Sequence, residues 1–170
     1  GEQDIACLQA VRTYAPEAQL IVDANEAWTP EYYQSILDSL CELRISMIEQ
    51  PFHATRDDVL ETLPCPIPIC ADESCHTSKD LEQLRHRYDM INIKLDKTGG
   101  LTEALQLARK AQALDFDIMV GCMLGTSLGM APAFLLAPFA TFLDLDGPLL
   151  LAQDLINAIH YEHSQMHPPS

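Results

Sequence analysis

Charged residues close four short apolar runs at almost equal intervals along this chain. The runs are Leu20-Ile21-Val22-Asp23, Met47-Ile48-Glu49, Pro68-Ile69-Cys70-Ala71-Asp72 and Ile91-Asn92-Ile93-Lys94, and the steps between their last residues are 26, 23 and 22. A run of this kind reads as a buried parallel strand. The step matches one strand–loop–helix unit, and in a (β/α) barrel successive strands end at the face where the chemistry gathers. Asp23, Glu49, Asp72 and Lys94 are therefore expected to converge. Three carboxylates so placed repel one another. A divalent cation relieves that repulsion, and the nearby lysine becomes a candidate base.

The rest of the pattern alternates in the same way. Helices are expected over 2–14, from the Thr29-Pro30-Glu31 cap to about Arg44, over 56–63, over 79–87 behind Ser78, over 101–114 and over 127–138. Strands are expected at 20–24, 46–50, 68–72, 90–95, 117–122 and 140–145, with Lys97-Thr98-Gly99-Gly100 as a loop. Six strands alternating with helices imply a parallel sheet with right-handed crossovers. The fold class expected is an incomplete (β/α) TIM-type barrel over residues 1–148, followed by a weakly patterned tail over 149–170. A doubly wound open sheet is the rival. It usually carries a glycine-rich phosphate turn after its first strand, and Val22-Asp23-Ala24-Asn25-Glu26 has no glycine.

Composition narrows the function. The 170 residues suffice for one real core but fall short of the roughly 250 of a complete barrel. Ten basic against 25 acidic side chains give a net charge of −15, which argues against nucleic-acid and anionic-membrane partners. No apolar stretch approaches the 18 or so residues needed to span a bilayer. Cys7, Cys41, Cys65, Cys70, Cys75 and Cys122 form no C-x-x-C pair and read as buried free thiols of a reducing, cytoplasmic setting. Cys70-x4-Cys75 lacks the second pair that a zinc site needs.

Val22-Asp23-Ala24-Asn25, Ile48-Glu49-Gln50-Pro51, Ala71-Asp72-Glu73-Ser74 and Ile93-Lys94-Leu95-Asp96-Lys97-Thr98-Gly99-Gly100 together resemble the strand-end motifs of the enolase superfamily, in its muconate-lactonizing subgroup. Asp144-Leu145-Asp146-Gly147-Pro148 resembles the D-x-D of dipeptide epimerases of the L-Ala-D/L-Glu type. The resemblance implies that Asp23, Glu49 and Asp72 ligate Mg²⁺, with Mn²⁺ as an alternative, and that the ion binds a substrate carboxylate. It implies that Lys94, its pKa lowered by the cation and by burial, moves the proton at the α-carbon through an enediolate. Asp144 and Asp146 would hold a dipeptide's ammonium group. The loop 121–127, with Cys122 and Met123, would lie beside the substrate. The implied activity is a Mg²⁺-dependent isomerase of dipeptides, as in murein peptide recycling.

Each residue also has a plainer role. Asp23 alone could cap a turn, Asp144 and Asp146 could form one, and Glu73 could support Asp72 or pair with a base. Lys97 reads as solvated, while Trp28, Phe52 and Met123 read as packing. His160, His163 and His167 sit in a polar tail. The family's second base, a K-x-K lysine on the preceding strand, has no counterpart upstream of Asp23, where Arg12 is the only basic residue. Its capping domain and first two barrel strands are also without counterpart. With Gly1 as the first residue, the chain reads as a C-terminal portion of such an enzyme, inactive alone. It would be completed by its N-terminal part or by another copy in a homo-oligomer. Rival readings are a cycloisomerase, an acylamino-acid racemase or an o-succinylbenzoate synthase, or a non-catalytic binding module on a degenerate barrel.

Overall fold

The computed structural model describes residues 3–163 and 165–168. Gly1 and Glu2, at the head of the expected first helix, and Ser164, Pro169 and Ser170 of the expected tail lie outside the described residues. The chain divides into two compact units. The first runs to Ser74 and includes Gln83–Met90; the second comprises Cys75–Glu82 and everything from Ile91 onward.

In the first unit, helix α1 (Asp4–Tyr14) leads to strand β1 (Leu20–Asp23), helix α2 (Pro30–Glu42) and strand β2 (Ile45–Glu49). A 3-10 turn (Asp57–Glu61) and strand β3 (Ile69–Ala71) follow. The Thr29 side chain accepts the Tyr32 N–H at 3.2 Å, with Pro30 at the first helical position, as the sequence signal required. Tyr33, Ile36, Leu37 and Leu40 then form one buried stripe at helical spacing. Helix α1 has no such stripe: none of its residues is buried, and Val11 is 46% exposed. Arg12 anchors α1 instead, donating from Nε and Nη2 to the Leu43 carbonyl at 3.0 and 2.9 Å, at the C-terminal end of α2 where a cation is favoured.

Helix α3 (Leu81–Leu84) is divided between the two units, and the second holds most of strand β4 (Met90–Ile93), helices α4 (Leu95–Thr98) and α5 (Leu101–Ala113), and strand β5 (Asp117–Val120). Helix α6 (Ser127–Met130), a 3-10 run (Ala131–Phe139), strand β6 (Phe142–Leu143), a 3-10 turn (Gly147–Leu150) and strands β7 (His160–Glu162) and β8 (Gln165–His167) complete it. Strands β1 to β6 belong to one sheet whose hydrogen-bonded order follows the chain, and the registers of β1·β2, β2·β3 and β5·β6 are parallel. The expected incomplete (β/α) barrel is thus the fold found.

Several local expectations needed correction. The helix expected over 79–87 shrinks to the four residues of α3. Ser78, expected to cap it, bonds instead to α5: its N–H donates to Glu103, and its carbonyl and hydroxyl accept from Lys110 and Gln106. The single helix expected over 127–138 breaks after Met130 into a 3-10 run containing Pro132 and Pro138, whose missing N–H groups interrupt the α ladder. The loop read at Lys97 to Gly100 is the end of α4, closed by Gly99 at φ 72°. The tail contains a hairpin, β7·β8, pairing Tyr161 with Met166.

Candidate active site

The acidic strand ends lie in the first unit. Asp23 and Glu49 are register partners, so both side chains leave the sheet on one face. Glu49 also pairs with Cys70, and Asp72 stands two residues beyond Cys70. The register thus sets Asp23 and Glu49 on one face, and Asp72 follows directly on the end of β3. The ladder continues past the strands through Ala24 N–H to the Glu49 carbonyl (3.0 Å) and Gln50 N–H to the Cys70 carbonyl (2.9 Å). Glu49 and Asp72 are each only 4% exposed, whereas Asp23 is exposed and accepts the Asn25 N–H at 2.7 Å. Glu73 belongs to the same acidic group. Burial first, then the charges of Asp72, Glu26 and Asp23, push its carboxyl above the usual range.

Among the described residues, no three His, Cys, Asp or Glu side chains stand arranged around a metal position. The donor set nonetheless suits a hard divalent ion in kind, being all carboxylate, on register-related positions, and within a group of mutually repelling acids.

The second unit carries Lys94 and the residues expected beside a substrate. Lys94 directly follows β4, partly buried, with an extended backbone. Lys97, read as solvated, instead donates to the Asn92 carbonyl at 2.9 Å from a partly buried position. Gly121 follows β5, and a Cβ there would stand 2.6 Å from Asn92 Oδ1, so only glycine lets the neighbouring strand end approach so closely. Cys122, Asp144, Asp146 and Lys94 influence one another. Burial first, then the charges of Asp144 and Asp146, push the Cys122 thiol up, while a Gly147 hydrogen bond and Lys94 oppose the shift. Asp144 is exposed by its solvent-accessible surface, yet neighbouring atoms still desolvate its carboxyl. That desolvation first, then the charge and hydrogen bond of Asp146, raise its carboxyl, and Lys94 draws it back. Met123, weighed as packing, is 51% exposed, whereas Trp28 and Phe52 are buried at 6% and 2% as expected. The cysteine expectation holds only in part. All six thiols are free, yet Cys7, Cys41 and Cys65 are exposed.

The tail reaches this second group, which no pattern in the polar C-terminal residues signalled. Tyr161 donates its hydroxyl to the carbonyl of Leu145, the residue between the two aspartates, at 2.5 Å. Burial, with Cys122 and Asp146 nearby, pushes its phenol up to about 12. Asp154 accepts both the N–H and the hydroxyl of Ser127, and Ser127 Oγ accepts the Ile159 N–H at 2.8 Å.

The raised Asp144 carboxyl has a measurable sign. A carboxyl whose folded pKa exceeds its unfolded value binds its proton more tightly in the native state. It therefore adds stability as pH falls through the folded value, and that contribution is absent above it. Asp144→Asn should accordingly stabilise the chain at neutral pH, and the advantage should shrink as pH falls toward the ordinary carboxylate range. Urea unfolding of both proteins across that range checks the trend. An advantage that grows on acidification would contradict it.

The whole chain, residues 1–170, matches the family described as Enolase C-terminal domain-like. The chain belongs to that family. It is similar to the N-acetyl-D-glutamate racemase of Pseudoalteromonas sp., with 52% identity over 98% of this chain and 53% of the relative. It is similar to the L-Ala-D/L-Glu epimerase of Escherichia coli K12, with 51% identity over 93% of this chain and 49% of the relative. An enolase family member from Agrobacterium tumefaciens, solved with sodium and L-Ala-L-Glu, superposes with a TM-score of 0.93 at 56% identity, covering 96% of this chain and 50% of that one. The dipeptide epimerase of Methylococcus capsulatus, solved with Mg and L-Arg-D-Lys, gives 0.90 at 34% identity, covering 98% and 50%. The chain thus spans about half the length of the relatives it matches, and those relatives are epimerases and racemases. The resemblance read from the strand-end motifs is borne out. Among the described residues no helix is long and apolar enough to cross a membrane.

Proposed function

We propose that this chain is the lysine- and carboxylate-bearing barrel portion of a dipeptide epimerase of the L-Ala-D/L-Glu type. The observation that carries the reading is the register of Asp23 with Glu49, which sets an acidic group at the strand ends of the first unit, taken together with a lysine at the end of β4. Asp23, Glu49 and Asp72 would hold one Mg²⁺, which when bound supplies positive charge to a substrate carboxylate. Lys94 would take the proton from the substrate's α-carbon or return it. Asp144 and Asp146 would bind the ammonium end of a dipeptide, orienting the α-carbon toward Lys94; a cationic ligand would offset the repulsion from Asp146 that helps raise Asp144. Cys122 and Met123 would border the same substrate.

A second reading has its own support in the 52% identity to an N-acetyl-D-glutamate racemase, whose named substrate carries an acylated amine. The two readings share inversion at an α-carbon and divide at the aspartate pair, because an amide nitrogen carries no charge for Asp144 and Asp146 to hold. The test assays L-Ala-L-Glu and N-acetyl-D-glutamate in D₂O with Mg²⁺, using the complete enzyme and its Asp144→Asn, Asp146→Asn double variant. Dipeptide turnover should be the faster in the parent. The double variant should lose about tenfold or more on the dipeptide, the loss typical of a charge-assisted contact, and little on the acetylated substrate. Equal losses on both would remove the ammonium role. Faster turnover of the acetylated substrate would favour the second reading.

A further inference from the structure

Gln50 lies between Glu49 and Pro51 and is completely buried, at 0% exposure. Its backbone adopts φ 35°, in the left-handed region that a non-glycine residue seldom occupies and that surrounding bonds must maintain. The side chain makes those bonds. Its Nε2 shares its two protons among the Phe52 carbonyl at 2.9 Å, Ser74 Oγ at 2.8 Å and the Tyr88 hydroxyl at 3.0 Å. Its Oε1 accepts the N–H of Asp72 at 2.9 Å and of Ser74 at 3.2 Å. Behind it lies Asp57, 2% exposed, whose Oδ2 accepts from Ser74 Oγ at 2.6 Å and from the Tyr88 hydroxyl at 2.7 Å. Its other oxygen pairs with Arg87 at 3.0 Å.

The direction of these bonds is determined by chemistry. A carboxylate paired with an arginine only accepts, so Ser74 and Tyr88 spend their single protons on Asp57. Their lone pairs then face Gln50, which must turn its NH₂ toward them. Its carbonyl is left for the backbone N–H groups of Asp72 and Ser74. Asp57 thereby sets which way the Gln50 amide points, two hydrogen bonds away.

We propose that Gln50 is a positioning residue for the metal-binding carboxylates. Through its own backbone it places Glu49, and through Oε1 it places Asp72, with Ser74, Tyr88 and Asp57 fixing the orientation of its amide. One buried side chain thus couples the ends of β2 and β3. The inference rests on the reading that Glu49 and Asp72 ligate Mg²⁺, and the experiment separates the two.

The 170-residue chain is titrated with Mg²⁺ by calorimetry and with Mn²⁺ by electron paramagnetic resonance, at a temperature where every variant remains folded. Gln50→Met, similar in length but without hydrogen-bonding groups, should weaken ion binding about 10- to 100-fold, as loss of a partner that orients a metal ligand generally does. Tyr88→Phe, which leaves Gln50 in place, should weaken it less. Leu37→Ala on α2 destabilises the same unit remotely and should bind as the parent does. Amide exchange read by NMR should accelerate at Asp72 and Ser74 in Gln50→Met. Parent-like affinity in Gln50→Met, equal weakening by Leu37→Ala, or unchanged exchange at Asp72 and Ser74 would each overturn the positioning role. Ion binding that Asp23→Asn and Glu49→Gln leave unchanged, or no binding of either ion by the parent, would overturn the metal reading and this role with it.

Discussion

Lys94→Met in the complete enzyme is expected to cut exchange of the substrate α-proton with solvent by about 10²–10⁴-fold, the usual cost of removing a positioned general base. Binding of Mg²⁺ should persist, because Lys94 is not one of the proposed ligands. Deuterium incorporation followed by NMR measures the loss, and calorimetry the affinity. Exchange within a few-fold of the parent would remove Lys94 from the proton-transfer role. The same assay bears on the 170-residue chain by itself. Inversion needs a proton taken from one face and delivered to the other, and Lys94 alone would serve one face. Slow exchange of one diastereomer without inversion is therefore expected of the isolated chain, and efficient production of the other epimer would reveal a second base within it.

The largest effect on stability is expected at Asp57. This carboxylate is 2% exposed and accepts from Ser74, Tyr88 and Arg87. Asp57→Ala leaves the buried Tyr88 hydroxyl and the half-buried Ser74 hydroxyl without their acceptor and Arg87 without its buried partner. Breaking a buried pair from one side typically costs about 3–5 kcal/mol. Arg87 retains Glu61 at 2.8 Å and is a quarter exposed, so the lower end, about 3 kcal/mol, is expected. Urea unfolding gives the value, and a loss below about 1 kcal/mol would show the network to be energetically idle.

The sequence by itself determined the alternation of strands and helices and the residues that end the strands. Both depend on near-neighbour chemistry: apolar runs too short for helices, a Thr-Pro cap, and charges placed where each run stops. The interval between Asp23 and Glu49 anticipated their pairing because each unit spans one strand, one loop and one helix. Family membership was legible for the same reason, since motifs at strand ends are contiguous in sequence.

Only the tertiary structure decided how the strand ends are held. Asp57 and Tyr88 are separated by 31 residues, in stretches whose patterns predicted one short helix and the approach to a strand. Their meeting at Gln50 follows from burial, which forces each polar group to find a partner wherever the fold brings one. The tail is a second case. Tyr161 stands in a polar stretch without useful periodicity, and its hydroxyl reaches Leu145 because the hairpin brings it there. The shortened α3 and the 3-10 run after Met130 show the converse, where local propensity yields to missing proline donors and to hydrogen bonds made with other elements. Spacing along a chain records what each unit must contain, whereas the partners of a buried polar side chain are set by distances that exist only once the chain has folded.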